Sequence, residues 1–142
     1  MDHFELHELV CDHVFKKYKN RAWMFLDPRL ITTINNIRER IGKPITINNW
    51  KDGGTFNERG LRCTQCSIVK DNIAKGNLYM SAHVLGKGVD FDIQGMTAEE
   101  SRQYIINHAT LWPYHIRLEA GVNWVHLDLY NQEEDKVILF NP

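Results

Sequence analysis

The chain has 142 residues, a length at which a single domain buries roughly 68 to 70% of the surface its unfolded chain exposes, so no disulfide staple is required. Hydrophobic residues make up 43% and charged residues 25%, as in a soluble globular domain, and the formal net charge of -1 implies no general attraction to nucleic acid or anionic membrane. No stretch approaches the ~20 apolar residues that span a bilayer, the start with Asp2, Glu5 and Glu8 lacks the features of a secretory signal, and an odd cysteine count of 3 fits a reducing compartment. The expectation is a monomer, cytoplasmic at synthesis, with one domain over 1-142: a helical part over 1-44 and a core over 45-142.

In chain order, Leu6, Leu9, Val10, Val14 and Phe15 recur at helical steps, which predicts a first helix from Phe4 to Tyr18. Trp23 and Phe25 belong to a connector that drops aromatics into the core. Asp27 is a good N-cap and Pro28 suits the first helical position, so a second helix opens there. Its stripe of Leu30, Ile31, Ile34, Ile37 and Ile41 runs until Gly42 and Pro44. Ile45 to Asn49 alternates as a strand does. From Trp50 to Met80 the periodicity fades, apart from a short helix over Cys66 to Ile73; a long irregular segment of this kind is where substrate-binding walls are expected.

Val89 to Ile93 reads as a strand with Asp90 and Asp92 on one face. Thr97 and Glu100 form a capping box that opens a helix reaching Ala109, which Trp112-Pro113 ends. Tyr114 to Leu118, Asn123 to Tyr130 and Val137 to Phe140 complete the strands. Helices first, then strands around one long helix, predict an α+β fold with a central, mainly antiparallel sheet and flanking helices.

Two stretches carry chemistry. In Ser81-x-His83-x-x-Gly86-x-Gly88-x-Asp90 an imidazole and a carboxylate flank a turn whose glycines can take backbone angles closed to other residues, so both groups can be aimed at one point. In Trp124-x-His126-x-Asp128 alternate residues share one face of a strand, and His126 becomes a third candidate ligand. Two histidines and one carboxylate, with a fourth position left to water, are the donor set of a catalytic zinc ion.

These residues resemble the zinc peptidases that cleave peptidoglycan stem peptides: the D-alanyl-D-alanine carboxypeptidases and dipeptidases, and phage L-alanyl-D-glutamate endopeptidases. The Hedgehog signalling domain is similar to the same fold. The resemblance covers about the segment from Ile45 to Tyr130. It implies zinc ligands at His83, Asp90 and His126, and a general base at Glu119. One departure stands out, because many carboxypeptidase members carry a histidine where this chain has Trp124.

The resemblance implies a role for each of these groups. Zinc makes hydroxide available near neutral pH by lowering the pKa of its water to about 7. Glu119 would take the proton during attack on a peptide carbonyl and pass it to the leaving amine, with Asp128 as the fallback base. The alternative for Glu119 is an ion pair with Arg117 or a lysine. An arginine upstream of the Ser-x-His motif serves the oxyanion in such enzymes; Lys51 departs from that pattern, Arg62 takes the role here, and Arg59, Ser81 and Trp124 are assigned to substrate. Asp128 and Asp92 are candidates to orient the ligating imidazoles.

Cys63-x-x-Cys66 could bind zinc or cycle as a disulfide, but Cys11 alone supplies no second pair, so free thiols or an incidental disulfide are expected. His3, His7, His13, His108 and His115 show no partner pattern, and His3 and His7 are expected on a solvated helix face. The function expected is hydrolysis of a peptidoglycan stem peptide, with release to the cell wall by a phage lysis system or carriage on a virion. The rivals are a Hedgehog-like binding module that keeps zinc for structure and a phage structural protein.

Overall fold

A computed structural model describes residues 2-142. Alternation on short strands builds its centre: β1 (Ile45–Thr46), β2 (Gly88–Ile93), β3 (Ile116–Glu119), β4 (Val125–Asp128) and β5 (Val137–Phe140) form one five-stranded sheet in the order β1-β2-β4-β3-β5. The helices are α1 (Leu6–Leu9), α2 (Asp12–Tyr18), α3 (Pro28–Ile41), α4 (Ser67–Ala74) and α5 (Ala98–Asn107). The fold is α+β with flanking helices, and no helix among the described residues is long and apolar enough to cross a membrane.

The two faces of the sheet differ in kind. Val89, Phe91, Ile116, Leu118, Val125 and Leu127 point into a hydrophobic cluster that also takes Leu30, Ile34 and Ile37 of α3 and Ile105 of α5. Burying each such side chain contributes about 1.5 to 3 kcal/mol. The period of two then places Asp90, Arg117, Glu119, His126 and Asp128 on the opposite face. Register completes the placement: Asp90 lies opposite His126, and Arg117 opposite Asp128.

α3 follows its sequence signals closely. The Asp27 carboxylate accepts from the Arg29 N–H, Pro28 takes the first position, and Gly42 closes the helix with φ of 65°. The expected first helix is interrupted instead. Val10 is extended and bridges in parallel to Leu61; the Leu61 N–H donates to the Leu9 carbonyl at 2.8 Å, and the Cys11 N–H donates to the Leu61 carbonyl at 3.1 Å. Backbone groups that would have continued the helix are thus taken by the distant segment 60-62.

Two further differences concern the sheet. The first strand stops at Thr46, because Asn48 turns toward the N-terminal helices, its N–H donating to the Glu8 carbonyl and its side chain to the Val10 carbonyl. The last strand pairs in parallel with β3, while the other pairings are antiparallel. The Asn131 amide donates to the carbonyls of Ile116 and Asp135 and so ties the β4–β5 connection to the beginning of β3.

Candidate metal centre

The loop from Ser81 to Lys87 folds back on itself, with the Lys87 N–H donating to the Ala82 carbonyl at 2.8 Å. Gly86 carries the left-handed turn at φ 68°, and a Cβ there would run into the Phe25 carbonyl oxygen. Gly88 has no positive φ; it is needed for closeness, since its Cβ would meet that of Ala82 at 2.9 Å. The Ser81 hydroxyl accepts from the His83 N–H at 3.2 Å and so shapes this turn.

The turn delivers His83 beside the start of β2, where Asp90 faces His126 across the sheet. His83 Nε2 and His126 Nδ1 are 3.2 Å apart, and Asp90 Oδ1 lies 2.8 Å from His126 Nδ1 and 3.3 Å from His83 Nε2. One ligand atom from each of the three falls within 4.8 Å of the others, and all three residues are buried. Each remaining ring nitrogen is held: His83 Nδ1 is 2.9 Å from the Gly60 carbonyl, and His126 Nε2 is 2.8 Å from Asp128 Oδ2. This is how metal-ligating imidazoles are oriented. Donor chemistry and spacing together fit a divalent metal.

Around these groups lies a ring of charge. Asp128 receives both arms of Arg117 at 2.9 Å each. Arg62 donates to Asp90 Oδ2 at 3.2 Å, to the Tyr79 hydroxyl at 3.0 Å and to the Glu58 carbonyl. Burial opposes the charged form of His126, but hydrogen bonds to Asp128 and Asp90 outweigh it and push its pKa up to about 9. Burial likewise opposes the Asp90 carboxylate, yet the two imidazoles hold it well below the usual range. His83 is pushed down by burial, against the pull of Asp90. A raised pKa favours the protonated ring of His126 at neutral pH, and a metal ion taken up by this ring would have to displace a proton.

Glu119 falls on the same face, one step beyond the Leu118–Leu127 pair and thus opposite His126 in the antiparallel register. Asp90, His126 and Glu119 make one row across β2, β4 and β3. Arg117, the alternative partner considered for Glu119, is engaged by Asp128. Phe140, which the sequence did not single out, ends that row: its ring stands 5.7 Å from the His126 ring, and the Arg117 guanidinium lies 3.7 Å above it.

A cleft of about 510 Å³ opens beside Asp90, lined by Phe56, Arg59, Arg62, Ile68, Asp92 and Trp124. Most of this wall comes from the irregular segment between Trp50 and Met80. Asp92 is not brought to the histidines; it is exposed and pairs with Arg59 at 2.9 Å. The Arg59 guanidinium also stacks 4.2 Å above the Phe56 ring.

A second cluster departs from expectation. Cys11, His13, Cys63 and Cys66 converge, with one ligand atom from each within 4.8 Å of the others, and the set could hold a metal ion. Its thiols are free of disulfides. The contact with Cys66 pulls the Cys11 thiol below the usual range, while the same contact and burial push Cys66 up. The signal in the sequence was Cys11-x-His13, a second pair of possible donors hidden because its partner lies fifty residues away and meets it through the Val10–Leu61 bridge and the Asp12–Asn57 hydrogen bonds. His7, too, is buried rather than solvated, edge-on to Phe15 and Trp50.

Comparison with protein-family models, curated proteins and solved structures returns no match to this chain.

Proposed function

We propose that the chain is a zinc-dependent peptidase acting on peptidoglycan stem peptides, with the metal held by His83, Asp90 and His126. One observation supports it above the rest: buried donor atoms from two histidines and an aspartate converge, each imidazole oriented from behind, and the aspartate, Asp90, lines an open cleft. Zinc, when bound, supplies Lewis acidity that makes hydroxide available near neutral pH.

The chain's own residues do the rest. Glu119, in the row with Asp90 and His126, takes the proton of the attacking water and returns it to the leaving amine. Asp128 holds the His126 ring in the tautomer that leaves Nδ1 open to the metal, and against the cost of burial the His126 ring and Arg117 together keep Asp128 ionised. Arg62 is drawn to Asp90, Tyr79 and Glu58, so its part is to hold the Asp90 ligand. Arg59 has one guanidinium nitrogen on Asp92 and lines the cleft, which makes it the better group to neutralise charge on the carbonyl oxygen or to take a peptide carboxylate. Phe56 and Trp124 supply apolar walls. The peptidoglycan assignment itself rests on the resemblance of Ser81-x-His83 to Asp90 and Trp124-x-His126 to the stem-peptide hydrolases.

The test is mass spectrometry of purified peptidoglycan fragments digested with the zinc-loaded protein. Cleavage within the stem peptide, abolished by chelator and restored by zinc, is the expected result. Fragments left intact by zinc-loaded protein overturn the enzyme reading and favour a metal-stabilised binding module.

A further inference from the structure

The cluster of Cys11, His13, Cys63 and Cys66 stands apart from the proposed hydrolytic centre. We propose that it is a second metal site, a closed structural zinc site of three thiolates and one imidazole, which rivets the N-terminal helices to the segment that positions His83 and Arg62.

The geometry carries the proposal. Zinc–sulfur bonds of about 2.3 Å and zinc–nitrogen bonds of about 2.0 to 2.1 Å at tetrahedral angles set sulfur–sulfur edges of about 3.8 Å and sulfur–nitrogen edges of about 3.6 Å. The Cys63 and Cys66 sulfurs are 3.9 Å apart, and His13 Nδ1 lies 3.5 Å from Cys63 and 3.9 Å from Cys66. Cys11 completes the fourth corner within the same 4.8 Å span. Four protein donors leave no position open to water, which is the mark of a structural site. The backbone is shaped for it as well: the Cys66 N–H donates to the Cys63 carbonyl at 3.1 Å, and the Gln65 N–H points at the Cys63 sulfur at 3.4 Å. Such a turn presents both sulfurs of a Cys-x-x-Cys pair to one side and gives a thiolate a backbone donor.

The position says what the metal would do. Cys11 and His13 sit where α1 breaks and α2 begins, next to the Val10–Leu61 bridge. Cys63 directly follows Arg62, which holds Asp90, and lies three residues after Gly60, whose carbonyl fixes His83. The Arg62 N–H further donates to the His83 carbonyl at 3.1 Å. A crosslink between residues 11 and 66 closes a long loop of chain at the back of the first site, and metal binding of this kind is folding free energy.

The experiment is replacement of the metal in the full-length reduced protein by cobalt(II), with zinc counted on parallel samples. Wild type is expected to carry about two zinc ions per chain, and its cobalt form to show the near-ultraviolet sulfur-to-cobalt absorption that only thiolate ligation gives. Cys63→Ser should lose that absorption and about one zinc ion, whereas His126→Ala should lose about one zinc ion and keep the absorption. His13→Cys retains four donors, so it guards against a Cys63→Ser protein that fails to fold; it should keep its full metal content with stronger sulfur absorption. Wild-type cobalt protein without thiolate absorption, or thiols that react with a sulfhydryl reagent equally fast before and after chelation, overturns the proposal. Since the signature needs sulfur ligands, it is independent of whether the protein hydrolyses any peptide.

Discussion

Glu119→Gln is expected to leave metal content and fold unchanged while turnover of a stem peptide falls on the order of 100- to 10,000-fold, the worth of a positioned proton-transfer group. Glutamine has nearly the same size and lacks only the basic carboxylate. Glu119 stands outside the ligand set, and Arg117 does not depend on it, because both arms of that guanidinium are on Asp128. Asp128→Asn should act differently. Asp128 accepts from His126 Nε2, so its loss frees the ring behind a ligand and should cost about 10- to 100-fold, partly as weaker metal binding. Hydrolysis rates and zinc content measured on the same samples separate the two. A wild-type rate in Glu119→Gln, beside a dead Asp128→Asn that still holds its metal, would reverse the roles.

Gly86→Ala should be among the most damaging single changes in the chain. The residue sits at φ 68°, where a Cβ costs about 1 to 3 kcal/mol in backbone strain alone. The added methyl also meets the Phe25 carbonyl, which belongs to fixed backbone and cannot rotate away as a side chain would; overpacking of this sort costs a further ~1 to 3 kcal/mol. The Gly86 carbonyl accepts the Asp27 N–H at 2.9 Å, so displacement would pull at the cap of α3 as well. Against a native margin of about 5 to 15 kcal/mol, the thermal midpoint should drop by roughly 10 °C. Gly121→Ala is the control: its φ of 80° carries the same strain, but no atom lies within 4 Å of the added Cβ. Equal midpoints for the two variants would mean that the close approach at Gly86 is unimportant.

What the sequence disclosed and withheld divides along the range of the interactions. Local signals were legible: Asp27 and Pro28 open α3, Thr97 with Glu100 opens α5, and the period of two in Trp124-x-His126-x-Asp128 puts the imidazole and the carboxylate that orients it on one face. The joining of His83, Asp90 and His126 was expected from the turn, the strand alternation and the family resemblance together, while the β2–β4 register that sets Asp90 opposite His126 is seen only in the fold. Non-local pairings were not. The break at Val10 depends on Leu61, and that same bridge brings Cys11-x-His13 to Cys63-x-x-Cys66, two ligand pairs that look unrelated along the chain. Asp92 misled for the opposite reason: it shares a strand face with Asp90, but two residues further along it passes the edge of the buried site and meets Arg59. The parallel arrival of β5, and with it Phe140 beside His126, depends on Asn131 reaching back to Ile116.

Whether His83, Asp90 and His126 hold a metal ion is read from the zinc content of purified wild type beside His83→Ala, Asp90→Ala and His126→Ala. Each substitution is expected to remove about one equivalent of zinc relative to wild type, because three protein donors with one open position cannot spare a ligand. Far-ultraviolet circular dichroism on the same samples checks that the fold persists. A folded His126→Ala protein that carries as much zinc as wild type would contradict the account.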